Sequence, residues 1–159
     1  MRTLDYTAVK ADTASKVINN LNQPLADLQV HYTNLRNLHW NIKGHGFFVL
    51  HAKYEEMYDD IAAKVDEVAE RILQLGGTPE HKFSAYLSTS AISEIDVTET
   101  GDAGLDYLLS STRTLIAAER ETLSSASAGG DEVTVAMMSD YLREQEKTVW
   151  MLVAYGTVK

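Results

Sequence analysis

Apolar positions along this chain recur in alternating steps of three and four, the spacing that lines one face of an α-helix. The first stripe, Ile18, Leu21, Leu25, Leu28, Tyr32, Leu35 and His39, predicts a helix over residues 14–39. Pro24 falls inside it and removes one backbone donor, which predicts a kink or a frayed first turn. A second stripe, Leu50, Tyr54, Met57, Ile61, Val65, Val68, Ile72 and Leu75, predicts a helix over residues 48–75. A third over 102–127 carries Leu105, Leu108, Thr112, Leu115, Glu119 and Leu123. The fourth, over 131–155, carries Val133, Met137, Tyr141, Val149, Leu152 and Tyr155, with Asp131 placed to cap its first turn. Glycines punctuate the stripes at Gly44 and Gly46, Gly76-Gly77 and Gly129-Gly130. Residues 1–13 read as an N-terminal tail.

Connection lengths convert these elements into a topology. The first two helices are joined tightly and must be antiparallel neighbours, and so must the last two. The stretch between Gly76 and Gly101 is too long for a turn in a compact bundle but can run its full length, about 40 Å. A short helix is expected within it at residues 91–95. An all-α four-helix bundle with one long crossover is the ferritin-like arrangement.

Composition narrows the function. A chain of 159 residues reads as a single domain spanning 1–159, large enough to bury a core. It has no cysteine, which excludes disulfides, iron–sulfur clusters and thiolate metal sites. No apolar run reaches the length of a membrane span, and the first sixteen residues lack the apolar core of a signal peptide, so a soluble, cytoplasmic protein is expected. The net charge of −9 argues against a large nucleic-acid footprint and suits cations.

Four side chains carry the candidate chemistry. His39 closes the first helix and His51 opens the second, while Asp66 and Glu70 lie four apart on one face of that second helix. His51 and Asp66 are fifteen residues apart, about 22 Å along a continuous helix. Metal–ligand bonds of about 2 Å cannot span that distance. Either the residues are unrelated or a second copy of the chain supplies half the site. A two-fold dimer with these helices antiparallel would set His39 and His51 of one subunit against Asp66 and Glu70 of the other, twice over.

The run His39-Trp40-Asn41-Ile42-Lys43-Gly44, then Leu50-His51, then Asp66-Glu67-Val68-Ala69-Glu70-Arg71-Ile72 and Gly76-Gly77-Thr78-Pro79, closely resembles the Dps family of miniature ferritins. The match extends over essentially the whole chain in helix order and loop length. The resemblance implies a hollow dodecameric cage with ferroxidase sites at its two-fold interfaces, their ligands at His39, His51, Asp66 and Glu70. It also implies hydrogen peroxide as the oxidant, with dioxygen a slower substitute. Glu55 stands where the family often has a weaker iron ligand, and Trp40 where a tryptophan near the site can intercept stray oxidising equivalents. The residue types agree: imidazoles with carboxylates form a nitrogen–oxygen set suited to ferrous iron (Fe2+), and carboxylates stabilise the ferric (Fe3+) product. Ordinary ferritins keep their ligands inside one subunit with paired Glu-x-x-His motifs, and this chain has none.

Other residues have plainer readings. His31 within the first helix, and His45 and His81 in loops, are expected not to be ligands. Glu55, Glu56, Asp59 and Asp60 form an acidic run that is either a solvated face or an iron-nucleating patch. Met137, Met138, Tyr32, Tyr54 and Tyr58 are expected in the core, and Trp150 is expected to pack on the last helix. Relatives that compact DNA commonly carry a lysine-rich terminal extension. Here Arg2, Lys10 and Lys16 are offset by Asp5 and Asp12, so DNA binding is expected to be weak or absent at physiological salt. A nucleoid protein with secondary iron binding is the alternative reading. Relatives often place acids around the start of the last helix to form iron-entry pores. This chain keeps Asp131, Glu132 and Asp140 but has Ala136 where an acid would be expected.

Overall fold

A computed structural model of the chain describes residues 2–157. It contains six helices in the order α1 (Leu4–Thr7), α2 (Ala11–Asn41), α3 (Phe47–Gln74), α4 (Phe83–Thr89), α5 (Gly101–Gly129) and α6 (Glu132–Gly156), with no strand among the described residues. Helices α2, α3, α5 and α6 form the bundle: α2 packs on α3 and α5, and α5 on α6. Their stripes meet in one core of Leu21, Leu25, Leu28, Leu35 and Leu38 from α2, Tyr54 and Ile72 from α3, Leu115 from α5 and Met138 from α6. Gly104 on α5 makes room for the end of the Tyr54 side chain from α3, since a Cβ there would lie 2.3 Å from Tyr54 Oη. The fold is the expected ferritin-like bundle with one long crossover carrying a short helix.

Three local expectations are revised. The first helix does not fray before Pro24 but begins at Ala11 and runs through it. The carbonyl that Pro24 leaves without a backbone donor is that of Asn20, and the Thr122 hydroxyl on α5 approaches it at 3.3 Å, sharing its hydrogen with Ala118 O at 2.9 Å. The tail holds the short helix α1, whose Leu4 packs against the core beside Gly76.

The crossover helix lies at Phe83–Thr89, not at residues 91–95. The 91–95 stretch is instead held by polar side chains of α2 that take the place of helical partners. Asp27, fully buried, accepts from Ser90 Oγ at 2.9 Å and Ala91 N at 2.7 Å. Asn34 donates to Ser93 O at 2.9 Å and accepts from Ile95 N at 3.3 Å. Asn37 donates to Asp96 O at 2.9 Å. One polar edge of α2 therefore pins the crossover along its length and delivers α5 to the end of the bundle where α2 turns into α3. There Lys43 N donates to Glu99 O at 2.9 Å, and the Lys43 ammonium pairs with the Glu99 carboxylate.

Candidate metal centre

The turn between α2 and α3 builds the first half of the candidate site. Gly44 and Gly46, at φ 78° and 84°, adopt the left-handed backbone that reverses the chain, and α3 starts at Phe47. His39 in the last turn of α2 and His51 in the second turn of α3 thus come face to face. Their rings stack with centroids 3.8 Å apart and planes at 20°. His39 Nδ1 lies 2.8 Å from the backbone oxygen of His51, and His51 Nδ1 lies 2.8 Å from the backbone oxygen of His39. A carbonyl oxygen only accepts, so each Nδ1 donates and carries the hydrogen. In the neutral tautomer with that hydrogen, Nε2 is the ring nitrogen left to bind a metal. The pair is braced on both sides: Phe47 stacks on His51 at 5.0 Å, and the Tyr58 ring meets His39 edge-on at 5.3 Å and 83°.

Asp66 and Glu70 stand elsewhere. Both lie on the exposed surface of α3 and make no hydrogen bond or ion pair among the described residues. Because α3 is unbroken from Phe47 to Gln74, the separation of about 22 Å from His51 holds. Within one chain, no three His, Asp or Glu side chains among the described residues come together to hold a metal ion. The structure therefore brings His39 and His51 together and keeps Asp66 and Glu70 apart from them.

The remaining candidates divide. Glu55 is exposed one turn beyond His51, and its Oε1 accepts from the Tyr58 hydroxyl at 3.4 Å. Burial, then the carboxylates of Glu55 and Asp59, hold the Tyr58 phenol above its usual range, which keeps it a donor. Trp40 is 62% exposed, its ring covered by the Arg36 guanidinium at 4.4 Å. Successive helical residues do not share a face, and among the described residues the rings that meet His39 are those of His51 and Tyr58. In the acidic run, Glu56 pairs with Lys53 at 2.7 Å and Asp60 with Lys64 at 2.5 Å.

His31 is buried, its Nδ1 2.8 Å from the Tyr107 hydroxyl, and desolvation lowers its pKa to about 3, so it stays neutral. His45 and His81 are exposed on loops. Tyr54 and Met138 are core residues, while Tyr32, Tyr58 and Met137 are partly buried against it. Trp150 does not pack as expected: it is 67% exposed, and Met151, Val153 and Tyr155 in the last turns of α6 are exposed as well. Asp131 is no free pore acid. Its side chain caps α6 through Thr134 N at 3.2 Å and pairs with buried Arg71 at 2.6 Å. Glu132 and Asp140 remain exposed, and Asp140 pairs with Arg143 at 3.1 Å.

A protonation site not singled out from the sequence lies at the bundle centre. Glu119 on α5 is fully buried and accepts from Gln145 Nε2 at 2.5 Å, yet Glu119 Oε2 and Gln145 Oε1 meet no partner. Desolvation raises the Glu119 pKa to about 8, against opposing pulls from the Gln145 hydrogen bond and the Lys64 ammonium. The only signal in the sequence was a glutamate falling on an apolar stripe.

Comparison with known proteins places this geometry in a lineage. Residues 18–157 match the family model of the ferritin-like domain. The DNA protection during starvation protein of Porphyromonas gingivalis is 48% identical over 97% of each chain. The chain belongs to the Dps family of miniature ferritins. The Dps protein of Vibrio cholerae, described as a member of a broad superfamily of ferritin-like diiron-carboxylate proteins, is 46% identical and superposes with a TM-score of 0.90 over 92% of each chain. The antigen TpF1 of Treponema pallidum is 33% identical and has the same TM-score over 94% of this chain and 97% of its own. Membership in this family ties the chain to iron. No helix among the described residues is long and apolar enough to cross a membrane.

Proposed function

We propose that the chain is a ferroxidase and iron-storage protein that assembles as a dodecamer. It oxidises ferrous iron at sites shared across two-fold interfaces and retains the ferric product inside the cage. The observation that carries this reading is the histidine pair: two imidazoles locked through Nδ1, in a chain whose described residues bring no three His, Asp or Glu side chains together to hold a metal. Unpaired Asp66 and Glu70, further along α3, are what an antiparallel copy would bring to it. Glu55 acts as a weaker ligand. Exposed apolar side chains also support assembly, since Trp40, Phe48 and Val49 flank the histidine turn and Trp150 stands exposed on α6.

In this reading the iron is substrate. The imidazoles bind it as neutral donors, and the carboxylates favour the ferric state. Two ferrous ions held together give up one electron each, so one hydrogen peroxide and two protons become two water molecules. Peroxide is the preferred oxidant and dioxygen a slower one. Paired delivery of electrons is the protective step, because a single ferrous ion would release hydroxyl radical. With a net charge of −9 and no basic cluster in the first sixteen residues, DNA binding is weak or absent. Protection then comes from removing iron and peroxide together.

An iron titration under peroxide checks the chemistry. One peroxide should be consumed for each pair of ferrous ions, a spin trap should collect little hydroxyl radical, and a gel shift at physiological salt should show no retarded DNA. Abundant trapped radical would contradict the paired site. A strong shift with no iron oxidation would favour a nucleoid protein.

A further inference from the structure

Tyr58 occupies a place that packing alone does not account for. It follows His51 by seven residues and Glu55 by three, so all three lie along one face of α3. Its ring touches His39 edge-on at 5.3 Å on one side and Tyr32 edge-on at 6.0 Å on the other, which fixes the ring plane. Its hydroxyl then reaches Glu55 Oε1 at 3.4 Å, the contact that Glu55 makes within the chain. One side chain thus touches a histidine at the end of α2 and a carboxylate on α3.

We propose that Tyr58 is a positioning residue of the metal site, setting the ring of His39 with its edge and directing the Glu55 carboxylate with its hydroxyl. The inference rests on the shared-site reading above and adds a residue to it. His39 Nδ1 is already anchored on His51 O, and the Tyr58 ring blocks the swing of the imidazole about that anchor. Glu55 needs such help more. On an exposed helical face a glutamate samples several rotamers, and a ligand that must be ordered at the moment of binding binds less well. A hydroxyl on one carboxylate oxygen selects a rotamer and leaves the other oxygen for a metal.

The hydroxyl separates this role from packing, because Tyr58→Phe keeps the ring against His39 and Tyr32 and deletes only the contact with Glu55. The experiment uses the assembled protein and Co2+ alone, followed by visible absorption and calorimetry, so that binding is read without turnover. A tighter and a weaker class of Co2+ are expected in the parental protein. Tyr58→Phe should weaken the weaker class about tenfold, within the range for loss of a group that orients a ligand, and leave the tighter class unchanged. Glu55→Gln should weaken the same class, and the double variant should lose no more than Glu55→Gln alone. Tyr58→Leu, which also removes the ring, should weaken the tighter class and alter the Co2+ spectrum through His39. Parental Co2+ binding in Tyr58→Phe, with particle size and thermal unfolding unchanged, would overturn the proposal, as would strictly additive losses in the double variant. Absence of Co2+ binding in the parental protein would instead remove the site itself and the positioning role with it. Should Tyr58→Leu fail to assemble, Tyr58→Phe and the double variant decide the matter alone.

Discussion

Replacing Asp66 with Asn and Glu70 with Gln together should slow iron oxidation by on the order of a hundredfold or more, while the assembly keeps its size. The amides match the carboxylates in volume but carry no charge and bind ferrous iron poorly. Loss of a group that merely orients a metal ligand costs about ten- to a hundredfold, so removal of two ligands should cost at least the upper figure. Stability should change little, because both side chains are exposed and neither holds a partner among the described residues. Stopped-flow absorbance of ferric product formation, beside light scattering, separates the two effects. Oxidation at the parental rate would show that these carboxylates are not ligands.

The second large effect is in stability and falls at Glu119. Its folded pKa of about 8 lies above the 4.5 of the free side chain. The folded state therefore holds a proton that the unfolded chain releases. The stability from that proton is fully present below about pH 4.5 and is lost as the pH rises through about 8. Each pH unit in that window costs about 1.4 kcal/mol. Glu119→Gln removes the titration and supplies an amide N–H2 to a pair that lacks donors, since Glu119 Oε2 and Gln145 Oε1 are both without one. At pH 8 the variant should exceed the parental protein in stability by roughly 3–5 kcal/mol, and the two should converge toward pH 4.5. Urea unfolding across this range, at one protomer concentration, checks the slope. Parallel curves for the two proteins would show that Glu119 does not carry the proton.

The four long helices were legible because each carries an apolar stripe that recurs over several turns, and a period of 3.6 is easily read at that length. The crossover was not. In α4 only Tyr86 is buried while Phe83 is 75% and Leu87 49% exposed, so seven residues present no apolar face to detect. Its path is set by Asp27, Asn34 and Asn37, whose reach across to the crossover backbone depends on register between distant segments. Trp150 misled for a related reason: periodicity marks which side of a helix is apolar but not whether this chain or another covers it.

That His39 and His51 could not meet Asp66 and Glu70 within one chain was legible, because it followed from helix rise alone. The reciprocal bonds between His39 and His51 were not legible, because each imidazole binds the other residue's backbone oxygen, and no side-chain pattern encodes that choice. The contacts of Tyr58 with His39 and Glu55 were not legible either, because its spacing of seven from His51 is equally that of a core position. Asp131 looked like a pore acid by position, and its pairing with Arg71, sixty residues away, could be known only from the packing of α3 against the start of α6.

The shared site is tested most directly by complementation. One variant lacks both histidines (His39→Ala with His51→Ala) and another lacks both carboxylates (Asp66→Ala with Glu70→Ala). Each alone should be impaired, since every two-fold site then lacks half its ligands. The two are dissociated, mixed in equal amounts and reassembled. In a mixed dimer one site collects both defects, while the other takes intact histidines from one chain and intact carboxylates from its partner. With random pairing half the dimers are mixed and each has one sound site of two, so iron oxidation should recover to about a quarter of the parental rate. Mixed assemblies of normal size with no recovery would contradict the inter-subunit site.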